Sequence, residues 1–413
     1  MTMTRETREA RSDRHTLWRN RDYLLLWCGQ AISTVGNSVS DLAFPLLVLA
    51  TTGSPVQAGL VGALNTLVSA LIALPAGVMV DRWDRKRVML YCDVVRCLCL
   101  GSIPLALATG HLTIYQLYLT SLLEGLLARL FELAHTASLA QVVENAQLTS
   151  AVALDEVMEG TTTLGGPSLS GLLFGLGRSL PFLADAISYA ISILTLLLIR
   201  VPFQGERLSQ RRHLAAEVQA GMRWVWQQPF IRMMTLLMSA GALVLSGSTL
   251  AVIVLAEQRG ASPWLIGVIF ACGGVGSLLG APLAALLGKR LRVGQSVLLC
   301  RWLMALLWPL YLLMPLPWML GLVEFGIGFA DPLEDVAYFS YRLKLIPEEL
   351  RGRVLSVCRL FPGITRSCGL LLMGWLLQTM GAVPALLLAW LVLLLTALLA
   401  TTSRQVRQAG REL

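Results

Sequence analysis

Several acids and arginines stand inside long apolar stretches of this 413-residue sequence. A charge placed there is costly unless it is paired, hydrated or put to use. Asp41 is the clearest case. It lies well inside the first apolar stretch, with no opposite charge near it in sequence. Pro45 follows four residues later, so the Asp41 carbonyl loses its helical amide partner, and a kink with local water access is expected. Asn37 stands one turn earlier on the same face. A carboxyl that alternates between water and a drier environment can load and release a proton, and Asp41 heads a list of such candidates that continues with Glu124, Asp185 and Glu324. The plainer reading of Asp41 is a neutral, hydrogen-bonded side chain beside a kink.

Arg96 and Glu124 are mirrored by Arg301 and Glu324, at offsets of 205 and 200. The mirroring points to a structural ion pair in each half, Arg96 with Glu124 and Arg301 with Glu324; the alternative is that Glu124 or Glu324 lines a cavity. Arg129 and Glu132, three apart, read as a local helical pair. Asp331-Pro332-Leu333-Glu334-Asp335 sets three acids and a helix breaker inside another apolar stretch. Either that helix breaks or the region faces water. Phe325, Phe329, Tyr338, Phe339 and Tyr341 surround it. Such rings either fill helix contacts or stack on a large amphipathic or cationic ligand, and Asn37, Phe325, Phe329 and Asp331 are the candidate substrate-cavity residues.

Other chemistries find little support. His15, His111, His135 and His213 share no metal-ligand spacing, so no metal site is expected. Gly288-Lys289-Arg290 lacks the hydroxyl of a nucleotide-binding loop, and no cofactor is expected. No nucleophile, base and acid constellation suggests an enzyme. The cysteines, Cys92, Cys97, Cys99 and Cys300 among them, fall within apolar stretches as small packing residues.

The elements that position these residues are membrane spans. Hydrophobic residues make up 55% of the chain and charged residues only 14%, and the mean hydropathy is +0.67. Lipid is the expected solvent. Runs near the length needed to cross a bilayer fall at 23–49, 57–80, 88–108, 113–137, 150–175, 179–199, 231–255, 263–287, 295–314, 317–343, 351–379 and 383–402. The weakest are spans 4, 5 and 10, which carry charges but are needed to keep the charged loops on one side. The cationic residues cluster before span 1, in the 2–3 loop, between spans 6 and 7, in the 8–9 and 10–11 loops, and at the C-terminus. Both termini are therefore expected in the cytoplasm, in an inner membrane. The N-terminal Arg5, Arg8, Arg11, Arg14, Arg19 and Arg21 read as a lipid-facing segment and not as a cleaved signal. The net charge of +8 follows from this topology, and no nucleic-acid partner is inferred from it.

Self-comparison at an offset near 203 aligns Asp84-Arg85-Lys86-Arg87 with Gly288-Lys289-Arg290-Leu291, Gly125 with Gly326 and Gly171 with Gly374. The chain thus divides into a segment 1–22, a six-helix unit 23–202, a linker 203–230, a second unit 231–402 and a tail 403–413. The linker carries Arg207, Gln210, Arg211, Arg212 and His213 ahead of an amphipathic stretch ending at Trp224 and Trp226, expected to lie on the membrane surface. The fold class is an all-α membrane protein, with twelve transmembrane helices in two pseudo-symmetric six-helix bundles. Two such bundles can rock about a central site.

Gly77-Val78-Met79-Val80-Asp81-Arg82-Trp83-Asp84-Arg85-Lys86-Arg87 resembles the signature loop of the major facilitator superfamily. Arg19-Asn20-Arg21-Asp22-Tyr23, Asp185-Ala186-Ile187-Ser188 and Pro347-Glu348-Glu349-Leu350-Arg351-Gly352-Arg353-Val354 extend the likeness to the branch of macrolide-efflux and enterobactin-exporter proteins. The resemblance implies a conformational gate in which Gly77, Asp81, Arg82, Asp84 and Arg85 meet Arg351 and Arg353 at the start of span 11. In the repeat copy Ala285 replaces Asp81, so only the first loop is expected to latch. Gly165, Gly166, Pro167 and Gly171 resemble the antiporter motif of span 5. With Gly273, Gly274 and Gly276 of span 8 they are expected to form a close seam between the halves. The implied function is proton-coupled export of a hydrophobic or amphipathic small molecule, such as an antibiotic or siderophore, by a monomer. A symporter or a lipid-like flippase of the same fold, and a non-transporting sensor or assembly partner, are the competing readings.

Overall fold

A computed structural model of the chain describes residues 17–144, 147–201, 203, 214–288, 290–347 and 350–409. Arg5, Arg8, Arg11, Arg14, His15, Arg207, Gln210, Arg211, Arg212, His213, Lys289, Glu348 and Glu349 lie outside them, as does the side chain of Asp81. Twelve long helices fall on the expected spans: α1 (Arg21–Thr52), α2 (Pro55–Arg82), α3 (Arg85–Thr109), α4 (Ile114–Val142), α5 (Leu148–Leu176), α6 (Leu180–Leu198), α7 (Pro229–Gln258), α8 (Pro263–Leu287), α9 (Val293–Leu307), α10 (Leu320–Leu345), α11 (Arg351–Met380) and α12 (Ala382–Thr402). A linker helix, Leu214–Gln227, joins α6 to α7.

Nine of these, among the described residues, are apolar enough over 18 residues to cross a membrane; α4, α5 and α10 are not. Packing carries those three. α4 lies against α2 and α3, α5 against α1 and α8, and α10 against α8 and α9, so their charged faces turn toward protein and cavity.

Local chemistry sets the helix ends. Asn20 caps α1 by accepting from the amides of Asp22 and Tyr23, both at 3.1 Å, and its amide nitrogen donates to the Val142 carbonyl at the end of α4, at 2.8 Å. Ser54-Pro55 and Ser262-Pro263 start α2 and α8 alike, a capping hydroxyl followed by a proline that needs no helical amide partner. Pro309 follows the end of α9. The Ala305 carbonyl, which a non-proline amide four residues on would have met, accepts from the Trp390 indole at 2.8 Å instead.

The packing follows the repeat. Helices α1 and α6, α2 and α4, α3 and α6, and α3 and α4 touch in the first half; α7 and α12, α8 and α10, α9 and α12, and α9 and α10 touch in the second. The halves meet mainly through α2 with α11 and α5 with α8. One apolar cluster spans both halves, holding Leu47, Val61 and Phe174 with Ile253, Ile266 and Leu386. This cluster lies toward the face with the 1–2 and 7–8 loops. Toward the other face, which carries the cationic 2–3 loop, the core splits in two. Tyr23, Met89 and Phe131 anchor one cluster; Ile231, Val297 and Val357 anchor the other. The halves are joined at one face and separated at the cation-rich one.

The linker helix does more than lie on a surface. Its Val225 is fully buried in the second-half cluster, and a Cβ on Gly221 would stand 2.7 Å from the Arg353 carbonyl oxygen of α11.

Candidate functional site

In the first half, four helices bring their polar residues to one place. Arg96 of α3 donates through Nε to Glu124 Oε1 of α4 at 2.7 Å, and through Nη2 to the same oxygen and to Asn37 Oδ1 of α1 at 3.1 Å. The Tyr189 hydroxyl of α6 lies 2.7 Å from Glu124 Oε1 and also bonds Asn37 Oδ1, while the guanidinium stacks 4.2 Å from the Tyr189 ring centroid. One carboxylate oxygen is thus donated to from two sides, and Glu124 Oε2 is buried without a donor.

Asp185 is buried against α1, its Oδ1 accepting from Ser188 at 3.1 Å. A Cβ on Gly36 would overlap that oxygen, so the glycine makes room for the acid. Asp41, a turn beyond Asn37, is left uncovered by neighbouring side chains, with Glu124 and Arg96 as its electrostatic neighbours. α1 runs through Pro45 as one helix. A further acid belongs to this cluster that the sequence reading missed: Asp93, fully buried, whose Oδ2 accepts from Ser192 of α6 at 2.6 Å. The available signal was its place three residues before Arg96, on the same face of span 3.

The second half is built differently from the expectation. Arg301 pairs with Glu334, at 2.6 Å, and not with Glu324. Depth is the reason. At about 1.5 Å per residue, Arg301 stands roughly 12 Å into α9 from the cation-rich face; Glu334 stands roughly 16 Å from that face along α10, and Glu324 roughly 31 Å. Glu324 accepts from Tyr311 at 2.8 Å near the joined face. α10 continues unbroken through Pro332, with Glu334 buried against Arg301 and the other two acids on the cavity side. Asp331 and Asp335 are exposed and line a cavity of about 220 Å³ with Arg301, Glu334 and Arg366.

Phe325 and Phe329 stack on each other at 6.2 Å, but their backbones are drawn against α8: a Cβ on Gly276 would overlap the Phe325 carbonyl, and one on Gly280 the Phe329 carbonyl. They line none of the cavities described. Tyr338 and Phe339 do, in a cavity of about 620 Å³ shared with Arg342 and Arg359.

The seam between α5 and α8 exists, with a different set of residues. Gly171 meets Gly267, whose Cα would lie 3.0 Å from a Cβ at 171, and a Cβ on Gly267 would overlap the Pro167 carbonyl. Gly166 faces Ser38 of α1 within its own half, and Gly165 faces open space. Gly273 packs on Glu324 and Gly276 on Phe325, both of α10; Gly274 is buried. At about 100° per residue, positions 273, 276 and 280 lie roughly 120° to 180° around α8 from Gly267, which turns them away from α5.

Asp84, Arg85 and Lys86 of the 2–3 loop bond within the first half. Asp84 caps α3 through the Arg87 amide at 3.2 Å; Arg85 donates to the Ala137 carbonyl of α4 at 2.9 Å, and Lys86 to the Ile199 carbonyl after α6 at 2.7 Å. Gly77 faces open space, Arg82 is exposed at the end of α2, and Arg351 and Arg353 open α11. Arg129 and Glu132 form their local pair at 2.6 Å.

Across the halves, Thr66 and Ser367 share a hydrogen bond of 2.8 Å, and Ser54 donates to Gln378 at 2.7 Å. Between the first of these ties and the cation-rich face lies a cavity of about 480 Å³, bounded by α2, α4 and α11. Two helical bundles clamped at one face around polar cavities that reach toward the other define a membrane transporter. Residues 26–367 match the model of the Major Facilitator Superfamily, and the chain belongs to that family. It is 26% identical over 402 residues to the multidrug efflux pump Tap of Mycolicibacterium fortuitum, covering 93% of this chain and 96% of that one. It is 27% identical over 334 residues to the enterobactin exporter EntS of Shigella dysenteriae serotype 1, covering 78% and 77%. A crystal structure of the nucleoside transporter NupG superposes with a TM-score of 0.77 at 12% identity, over 92% of this chain and 98% of that one.

Proposed function

We propose that this transporter exports a hydrophobic or amphipathic small molecule in exchange for protons, with 23–202 and 231–402 as the two moving units. The observation that carries the proton coupling is the first-half cluster: Asp41, Asp93, Glu124 and Asp185 gather around Arg96. With more carboxyls than cations in a dry interior, the cluster balances its charge by holding protons. Asp93 Oδ1, Glu124 Oε2 and Asp185 Oδ2, which accept no hydrogen bond, are the atoms free to carry them. Asp41, left uncovered by neighbouring side chains beside that cluster, is the exchange point. Arginine asymmetry supports placing the cation-rich face, and with it both termini, in the cytoplasm of an inner membrane. Substrate then enters from the cytoplasm in the state described. Relatives named for drug and siderophore efflux support this direction.

The test uses proteoliposomes with an imposed pH gradient and two probes, the amphipathic cation ethidium and the amphipathic anion dansylglycine. Gradient-driven flux of at least one is expected. Asp41→Asn should still bind that probe and lose its gradient-driven flux, because the amide keeps shape and polarity but cannot titrate. Flux of both probes that ignores the gradient, or full gradient-driven flux by Asp41→Asn, sinks the proposal. Uptake into right-side-out vesicles that rises with an inward proton gradient would establish the symporter instead.

A further inference from the structure

The inter-half cavity carries two cations, Arg359 and Arg366, that the proton-coupling cluster does not use. Arg359 and Arg366 are seven residues apart on α11, which places them on one face of the helix and about 10 Å apart in height. Both are exposed and both line the cavity of about 480 Å³ between α2 and α11. Neither makes an ion pair or hydrogen bond through its side chain among the described residues, although both stand within a membrane-crossing helix. The third cation of this cavity, Arg129, is neutralised by Glu132. The facing wall of α2 offers Asn65, Thr66 and Ser69, and no acid is among the lining residues. Arg366 also lines the adjoining pocket with Asp331, Glu334 and Asp335 on the α10 side, where Asp331 is its electrostatic neighbour but forms no ion pair with it.

An arginine kept inside a membrane protein without an ion-paired carboxylate is held by water or by a ligand. A guanidinium matches a carboxylate, sulfonate or phosphate with two parallel donors. We infer that Arg359 and Arg366 form the subsite for the acidic group of the substrate, so that the transported class is amphipathic organic anions. The apolar part lies against Ala70, Ala73 and Leu360, and the anion passes from Arg359, nearer the cation-rich opening, to Arg366 beside the Thr66–Ser367 tie. A bound anion reaching across to the hydroxyls of α2 links the two halves where they diverge, so it favours closure of that opening.

This inference rests on the export reading for direction only, and binding tests it separately. Protein in nanodiscs is titrated with dansylglycine, with its uncharged methyl ester and with ethidium. Dansylglycine is expected to bind at least about tenfold more tightly than the ester. Arg359→Gln and Arg366→Gln should each remove about tenfold or more of that affinity, leave the ester unchanged, and be partly rescued by Lys at the same position. Because both side chains are exposed, the Gln variants should melt as wild type does. Equal binding of acid and ester, binding of ethidium without dansylglycine, binding of none of the three, or Gln variants that bind the acid normally would each overturn the assignment. Gradient-driven ethidium flux with no anion binding leaves the export reading standing and this inference fallen; charge-selective anion binding with gradient-independent flux does the reverse.

Discussion

Replacing Gly171 by alanine adds one methyl group at the point where the halves approach most closely through backbone alone. A Cβ there would lie 3.0 Å from both the Cα and the amide nitrogen of Gly267, and overlap the Pro263 carbonyl oxygen. None of these atoms is the end of a flexible side chain, so α5 and α8 must separate. Overpacking of this kind costs about 1–3 kcal/mol. The contact exists only while the 1–2 and 7–8 loop face is closed, so the cost falls on that state alone. The ratio of open to closed at that face should rise about 5- to 150-fold. Gly165→Ala is the control, since a Cβ there meets nothing within 4 Å, and both substitutions share the helix-propensity gain of up to about 1 kcal/mol. Gly166→Ala, which would collide with Ser38 inside the first half, should lower the melting temperature without shifting the state ratio. Spin labels at Arg178 and Gln258, both exposed on the joined face, read the separation of the halves by electron–electron resonance. A distance distribution for Gly171→Ala that matches Gly165→Ala would refute the role given to this seam.

Two further substitutions probe the polar clusters. Glu334→Gln strips the buried Arg301 of its charge partner and should destabilise by about 3–5 kcal/mol, whereas Glu324→Gln still accepts from Tyr311 and should cost under about 1 kcal/mol. Detergent melts of equal size for the two would contradict the pairing at 2.6 Å. Ser192→Ala removes the donor 2.6 Å from the buried Asp93, with an expected loss of about 1–3 kcal/mol; a neutral melt would place that carboxyl in water.

Hydropathy and cation placement made the helices legible, since lipid imposes length and composition on every span. Even α4, α5 and α10, too charged to pass on apolarity, followed from the need to return the chain to the correct side. Side-chain partners were less legible, because sequence offset is a poor measure of depth. Glu324 matched Glu124 in the repeat but sits nearer the opposite face than Arg301 can reach, and Glu334, three turns further along α10, took the pairing. The glycines of α8 misled for a related reason. Their abundance announced close packing, but only their angle around the helix says which neighbour is close, and Gly267 was the one turned toward α5. Asp93 was hidden by its company, an acid so near Arg96 in sequence that it read as part of the same charge.

The two contacts between the halves are one contact seen twice. Exchanging the halves carries α2 into α8 and α11 into α5, so a pseudo-twofold that brings α2 to α11 must bring α5 to α8. The two seams are therefore made and broken together, and closure at one face is a property of the pair. Their backbone chemistry is duplicated: Gly59 of α2 meets Gly374 of α11 as Gly171 meets Gly267, and the Pro55 and Leu370 carbonyls stand where a Cβ on either would go. α2 and α11 are also tied by Thr66–Ser367 and Ser54–Gln378, bonds that water can replace as the halves part. α5 and α8 meet through Gly171, Gly267 and the Pro167 and Pro263 carbonyls, a dry backbone approach whose loss exposes close-packed surface with nothing to replace it. Opening this face is then resisted at both seams by the loss of close backbone packing, and α2–α11, which also forms the wall of the arginine-lined cavity, exchanges its hydrogen bonds for water as well. A ligand bound against α11 acts directly on the α2–α11 seam, and the symmetry of the fold passes the consequence to the other.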